Sequence, residues 1–139
     1  MTGSFLSDIM HTCQGFSPDR RVMAVAQEDL QRKVRLAFLS AFYGNLLTEK
    51  QRQVLSLHCE EDLSLGEIAA EMGISRQAAH EALSRASARM EEMEASLGLA
   101  ERYRRLQSGL EQARDFLRNR QVDQAEQMIS SLLDWEEHY

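Results

Sequence analysis

The residues of greatest chemical interest lie in one stretch of the chain, from Ser75 to Arg89. Arginine and glutamine side chains can each form two hydrogen bonds to a guanine or adenine edge, and arginine also pairs with phosphate. Arg76 and Gln77 could read base edges, whereas Arg85 and Arg89 could meet phosphates. The predicted contact residues for a nucleic acid or another partner are Ser75, Arg76, Gln77, His80, Ser84, Arg85 and Arg89.

The segment around these side chains predicts a helix-turn-helix. Thr48 precedes Gln51 by three residues and Ser64 precedes Glu67 by three, and both spacings are typical of capping boxes that begin helices. Gly73 suits the turn between the second and third helices because it has no Cβ. Ser75 is then the cap of the helix that presents its first turns to a partner.

Acidic residues beside this helix argue against tight binding to duplex DNA. Glu67, Glu71 and Glu81 lie near the reading surface, and phosphate contacts supply much of the affinity for DNA. The formal net charge of −6 points the same way. We therefore interpret the helix-turn-helix as a docking surface for RNA or protein rather than a promoter reader.

A second basic patch follows the helix-turn-helix. Residues 98–120 carry a net charge of +3, although residues 121–139 carry −5. The patch could contact RNA or an acidic partner. The alternative is a solvated helix face whose charges pair with Glu101, Glu111 and Asp115, and with acids near the end of the chain. The patch comprises Arg102, Arg104, Arg105, Arg114 and Arg118.

Hydrophobic spacing predicts an all-α fold. One apolar face runs through Leu30, Val34, Phe38 and Ala41, and Gly44 suits a left-handed residue after that helix. Two longer seams, one from Ala79 to Leu97 and one from Leu99 to Leu117, step by three and four residues. A last helix begins near Val122. These apolar stripes must pack on one another or on a second copy of the chain, so a homodimer is expected.

The predicted organisation has three parts. Residues 1–22 hold the only proline and lack sustained periodicity, so we expect a disordered tail. Met23 is an alternative start site, because Arg20-Arg21 could be encoded by a sequence resembling a ribosome-binding site. Residues 28–97 form the helix-turn-helix core. Residues 99–139 form a C-terminal helical pair.

Several classes of function receive no support from the sequence. Cys13 and Cys59 form no CxxC pair, and the four histidines have no ligand spacing, so we expect free thiols, no metal and no cofactor. We find no phosphate-binding glycine loop and no nucleophile–base motif, so we expect a protein that is not an enzyme. No apolar run is long enough to insert into a membrane, and a cytoplasmic location is expected.

The stretch LTEKQR and the core SLGEIAAEMGISRQAAH resemble region 4 of sigma-70 factors. Together with FYGNLLTEKQR, they also make the chain similar to the YlxM-type helix-turn-helix proteins of bacteria, over roughly residues 30–110. The resemblance to that family implies a regulatory accessory of the signal recognition particle pathway, whose partner is the particle's GTPase subunit or its RNA. Two alternatives remain open: a DNA-binding transcription regulator, and a dimeric adaptor for protein interactions.

Overall fold

The computed structural model describes residues 20–138, and every regular element in this range is helical. The predicted all-α fold is confirmed. A short 3-10 helix, Gly44–Leu46, follows the first α-helix. The six α-helices are α1 (Arg20–Tyr43), α2 (Glu49–Cys59), α3 (Leu65–Met72), α4 (Arg76–Leu97), α5 (Leu99–Arg118) and α6 (Val122–Glu137).

Helices α2 and α3 begin at the two predicted capping boxes. The Thr48 hydroxyl accepts a hydrogen bond from the Gln51 backbone at 3.3 Å, and the Gln51 side chain accepts one from the Thr48 backbone at 3.1 Å. The same exchange joins Ser64 and Glu67, at 3.3 and 2.7 Å. Each box satisfies two backbone N–H groups that the first turn would otherwise leave free, and this fixes where the helix starts.

Helix α1 differs from its prediction at both ends. Its described part begins at Arg20, so residues 20–22 are helical rather than part of the tail. The rest of that tail lies outside the described residues, and the start-site hypothesis stays a prediction. At the other end Gly44 is not left-handed, because only Gly73 and Gly98 among the described glycines have a positive φ. Gly44 instead allows a close approach, since a Cβ there would lie 2.9 Å from the Ser40 hydroxyl.

The chain divides into two compact units, and the boundary falls between Arg35 and Leu36. In the first unit, residues 20–35 are a single stretch of helix. The second unit contains the end of α1 and helices α2 to α6. Residues 36–97 of the predicted core lie in this unit together with the C-terminal pair, whereas residues 28–35 of that core lie in the first unit.

Two apolar clusters hold the second unit together. One joins Leu39 and Tyr43 of α1 to Leu55 of α2 and Met90 of α4, all almost fully buried. The other packs α2, α3 and α4 through Val54, Ile68, Ala69, Ala79 and Ala82. Leu83 contacts both clusters, so α4 is the helix that joins them.

The packing face of α1 is only partly the predicted one. Phe38 packs against the first cluster as predicted, but Leu30 and Val34 are exposed. The buried positions Leu36, Leu39 and Tyr43 lie on the neighbouring face. Both faces are apolar, so their spacing alone could not distinguish them.

Helices α5 and α6 form an antiparallel pair, called here the C-terminal hairpin, which packs through small residues. Gly109 lies against Leu132, where an added Cβ would come within 2.6 Å of the leucine side chain. Ala113 and Ala125 are buried beside them. Arg102 donates two hydrogen bonds to the Glu136 carboxylate, and the Arg105 guanidinium lies 4.4 Å from the Trp135 ring centroid.

The second predicted seam, on α5, is mostly wrong. Of the seam residues on α5, only Ala113 is buried, whereas Leu99, Tyr103, Leu110 and Leu117 are exposed. The buried positions are displaced by part of a turn: Gly109 and Ala113 let the two helices approach closely, and Ala100 is buried in the first apolar cluster. The first seam, on α4, is buried or half-buried from Ala79 to Met93, and only Leu97 at its end is exposed.

Candidate nucleic-acid or partner interface

The start of α4 is fixed by the turn that precedes it. Gly73 adopts a left-handed conformation with φ 63°, and the Ile74 backbone N–H donates to the Ala69 carbonyl at 3.0 Å. Ser75 then caps α4, because its hydroxyl accepts a hydrogen bond from the Ala78 backbone at 3.0 Å. Ile74 packs into the apolar cluster under the turn. The first turns of α4 are therefore held in position by both capping and packing.

The structure exposes every predicted contact residue on α4. By helical spacing, Gln77, His80 and Ser84 lie on one face, and Arg76 precedes them by one residue at the end of the helix. Arg85 and Arg89 are four residues apart on another side. The seven residues thus form two adjoining surfaces rather than one.

The Arg85 side of α4 faces the start of α2. A cleft of about 260 Å³ lies there, lined by Arg85 and Glu81 on one side and by Thr48, Lys50 and Gln51 on the other. Lys50 and the capped end of α2 were missed by the sequence interpretation. The sequence does not mark this cleft, because it depends on how α2 and α4 cross, whereas the helix directly before the reading helix is α3.

The acidic residues near this surface have different environments. Glu81 forms an ion pair with Arg85, one turn further along α4. The Glu67 carboxylate accepts hydrogen bonds from the Ser64 backbone and hydroxyl in the α3 cap, and these hold the pKa of Glu67 below its ordinary value. Glu71 is exposed. Arg76 and Arg89 form no ion pair with any described residue, so their charges face solvent.

The second basic patch is largely engaged within the hairpin. Arg102 pairs with Glu136, and this contact holds the pKa of Glu136 below its ordinary value. Arg104 pairs with Glu101, while Arg114 and Arg118 lie 3.7 and 3.9 Å from Asp115. Arg105 covers the Trp135 ring. These five arginines are distributed around α5 rather than on one face, so the α4 surface is the more coherent candidate.

Three other features of the described residues bear on the kind of site. Between Arg20 and His138, no three His, Cys, Asp or Glu side chains are grouped so that they could hold a metal ion. None of the described helices is long and apolar enough to cross a bilayer. A groove of about 460 Å³ lies between α1 and α2 and is lined by Ser40, Arg52 and Cys59 among others.

Comparisons with known proteins agree on one family. A family model described as "Putative helix-turn-helix protein, YlxM / p13 like" (UPF0122) matches residues 30–131. A UPF0122 protein of Shouchella clausii is 41% identical over 105 residues, which are 76% of this chain and 94% of that protein. One of Geobacillus kaustophilus is 38% identical over 97 residues, covering 70% and 88%. One of Bacillus cereus strain AH187 is 44% identical over 78 residues, covering 56% and 71%.

Proposed function

Because this chain belongs to the UPF0122 family of YlxM/p13-like helix-turn-helix proteins, we propose that it is a cytoplasmic, non-catalytic regulatory protein that acts by binding. The proposed role is that of an accessory of the signal recognition particle pathway, and the proposed partner is the particle's GTPase subunit or its RNA. The pathway rests on the family resemblance. The family is one of helix-turn-helix proteins rather than of enzymes.

The observation that supports a binding role is the exposed beginning of α4. Arg76, Gln77 and His80 are all exposed in the first turns of a helix whose start is fixed by the Ser75 cap. A rigid helix end that offers a guanidinium, an amide and an imidazole can form hydrogen bonds to RNA, to carboxylates or to backbone groups. Preorganisation of this kind lowers the entropy cost of binding.

The local charge favours RNA or protein over duplex DNA. Residues 48–97 carry ten acidic and five basic side chains. Two of the basic side chains are paired, Arg52 with Glu49 and Arg85 with Glu81. A surface of this kind would release few counterions from a duplex, whereas non-specific DNA affinity arises mainly from such release. Single-stranded RNA and a basic protein surface both offer contacts that depend less on phosphate density.

The test is a titration of the purified full chain with the assembled complex of the particle's GTPase and its RNA. Random duplex DNA is the competitor, and the titration is repeated at two salt concentrations. We expect saturable binding that survives the competitor. Binding to DNA alone, falling steeply as salt is raised, would instead identify a transcription regulator. Absence of binding to the complex and to DNA would contradict both interpretations and favour a protein adaptor.

Two variants locate the contact. Arg76→Gln should weaken binding at least tenfold, about 1.4 kcal/mol, because it removes a charge at the centre of the proposed contact. Ser96→Glu is the matched control, since it also lowers the net charge by one unit but acts on the same helix about 30 Å further along. Equal losses in both variants would mean that net charge, and not the start of α4, governs binding.

A further inference from the structure

The C-terminal hairpin has two unlike sides. One side is polar and contains a shallow cavity of about 420 Å³, lined by residues that include Arg104, Ser108, Gln112 and Ser131. The opposite side is apolar and is called here the open face. By helical spacing it collects residues from both helices that lie away from the cavity and beside the buried seam. The open face comprises Leu99, Tyr103, Leu110, Leu117, Val122, Ile129 and Leu133.

Most of the open face is uncovered within one copy of the chain, and only Tyr103 at one end contacts the Phe38 and Phe42 rings of α1 among the described aromatic side chains. Its seven side chains are each between 40 and 62% exposed. A hairpin that buries mostly alanine and glycine on its inner seam gains little from hydrophobic burial, so an uncovered row of leucines on its flank is an unfavourable arrangement in water. An amphipathic helix laid along this face would bury the row and complete a three-helix layer.

The acidic residues beside the open face indicate which charge a partner should carry. Asp123, Glu126, Asp134 and Glu137 on α6 form no ion pair with any described residue. Glu126 is three residues before Ile129, and Glu137 is four residues after Leu133, so both lie on the same helix face as the apolar side chains. A helix that binds here should therefore carry apolar residues together with a net positive charge.

The first unit of the chain contains such a helix. Residues 20–35 of α1 carry five basic and two acidic side chains. Their large apolar side chains are all exposed, at Val22, Met23, Val25, Leu30 and Val34. In one copy of the chain, then, the apolar side chains of a helix with net positive charge and most of those on the acidic face are exposed.

We propose that the open face of the hairpin binds residues 20–35 of α1 from a second copy of the chain. The pairing is reciprocal, so two copies related by a two-fold axis form two identical contacts and leave neither surface uncovered. The apolar side chains supply the affinity, and the opposite charges of α1 and α6 set the pairing and the orientation. The inference is independent of the proposed function, because it uses no residue at the start of α4.

The first experiment measures the mass of the purified full chain in solution by sedimentation or light scattering over a range of concentrations. We expect a reversible dimer of twice the 15.9 kDa chain mass. Raising the salt concentration should increase the dissociation constant, since exposed charge pairs are screened within about 10 Å at 0.1 M salt. A monomer at every concentration would overturn the proposal.

Two single substitutions test the two surfaces. Leu30→Asp on α1 and Leu133→Asp on α6 each replace a side chain that is 62% exposed, so neither should disturb the fold of one copy. Each should raise the dimer dissociation constant at least about tenfold, because a carboxylate would enter an apolar contact. Ser131→Asp is the matched control: it adds the same charge to α6 on the polar side and should leave the dimer intact.

Mixing the two variants decides which surfaces pair. Leu30→Asp retains an intact open face and Leu133→Asp retains an intact α1, so their mixture can form one of the two contacts and should yield a mixed dimer. If like surfaces paired, α1 with α1 and hairpin with hairpin, both contacts in the mixture would contain a substituted partner and no rescue would occur. A dimer that resists both substitutions, or that shows no rescue on mixing, overturns the proposal.

Discussion

The carboxylate of Glu94 connects the helix-turn-helix to the hairpin. It accepts hydrogen bonds from the Tyr43 hydroxyl at 2.5 Å and from the backbone N–H groups of Ala100 and Glu101 at 3.1 and 2.9 Å. The Tyr43 hydroxyl in turn accepts one from the Leu99 backbone at 3.2 Å. Because Gly98 at the N-terminal boundary of α5 has no side chain, Glu94 and Tyr43 satisfy N–H groups that a capping residue would otherwise serve.

We predict that Glu94→Ala destabilises the chain by about 2 kcal/mol, because three donors lose a charged acceptor in a half-buried site. The free energy of unfolding measured in urea would test this. Glu92→Ala, which removes an exposed carboxylate two residues away, serves as the control and should change stability by less than about 0.5 kcal/mol. Equal effects from the two substitutions would contradict the role assigned to Glu94.

The α3 capping box makes stability depend on pH. The Ser64 backbone hydrogen bond lowers the pKa of Glu67 in the folded chain from the ordinary 4.5. The unfolded chain therefore binds this proton at a higher pH, so the stabilisation is fully present above pH 4.5 and is lost as the pH falls through the lower folded pKa. Glu67→Gln should reduce the acid-side fall in thermal stability.

The measurement is the unfolding temperature of wild type and variant across the acid range. The control is Glu71→Gln, which removes a carboxylate from the same helix outside the cap. If Glu67→Gln left the acid-side slope unchanged, or if Glu71→Gln reduced it equally, the capping interaction would not be the source of the pH dependence.

Three glycines in three helical settings should respond differently to alanine. At Gly66, within α3, the nearest atom to an added Cβ is 4.0 Å away, so alanine should stabilise the helix by about 0.5–1 kcal/mol. At Gly73 the space is empty but φ is positive, so alanine should cost about 1 kcal/mol. At Gly109 a Cβ would meet Leu132 within 2.6 Å, and forcing the helices apart should cost about 1–3 kcal/mol.

Chemical denaturation would give the free energy of unfolding of wild type and the three variants. Gly66→Ala should be more stable than wild type, and Gly73→Ala and Gly109→Ala should both be less stable. Gly109→Ala should also change the environment of Trp135, the single tryptophan, because it lies on the helix that would be displaced. Stabilisation by alanine at Gly109 would mean that the hairpin does not depend on close approach at that position.

The sequence predicted best those elements whose ends are marked locally. Thr48, Ser64 and Ser75 mark three helix starts, and Gly73 and Gly98 mark two helix ends, so α2, α3 and α4 were located almost to the residue. Such local signals do not predict which residues are buried, because tertiary packing determines burial. Nothing near Gly109 indicates that Leu132 will press against it, and the apolar spacing of α5 pointed to leucines that the fold leaves exposed.

The candidate site was predictable in part for the same reason. The exposure of Arg76, Gln77 and His80 follows from the Ser75 cap and the apolar positions of α4, both of which can be read from the sequence. The pairing of Arg102 with Glu136 was one of several arrangements that the charges allowed, since 34 residues separate the two. The cleft between Lys50 and Arg85 depends on how α2 and α4 cross, which the sequence does not mark.

Burial is unevenly distributed over the second unit. The largest fully buried side chains, which include Tyr43, Leu39, Leu55, Ile68 and Met90, belong to α1, α2, α3 and α4. The hairpin buries Gly109, three alanines and Leu132. Local stability follows buried apolar area, so opening of the hairpin should cost less free energy than opening of the core.

We predict that backbone amides of α5 and α6 exchange with deuterium faster than those of α2 and α4 in a chain held monomeric by Leu133→Asp. Hydrogen exchange followed by mass spectrometry resolves the two regions. Ser131→Asp provides the comparison on the same helix, and its hairpin should be better protected if two copies associate. Equal protection of hairpin and core in the monomeric variant would contradict the uneven distribution of stability.

The hydrogen bond between Tyr43 and Glu94 also has a consequence for the rate of unfolding. It joins residues 51 positions apart, so it closes a long segment of chain, whereas helix pairs such as α3–α4 and α5–α6 bring together near neighbours. Closing long segments costs more entropy, and such contacts tend to form after the local pairs. Tyr43→Phe should then accelerate unfolding while leaving the refolding rate almost unchanged, so this one hydroxyl would lengthen the lifetime of the native chain.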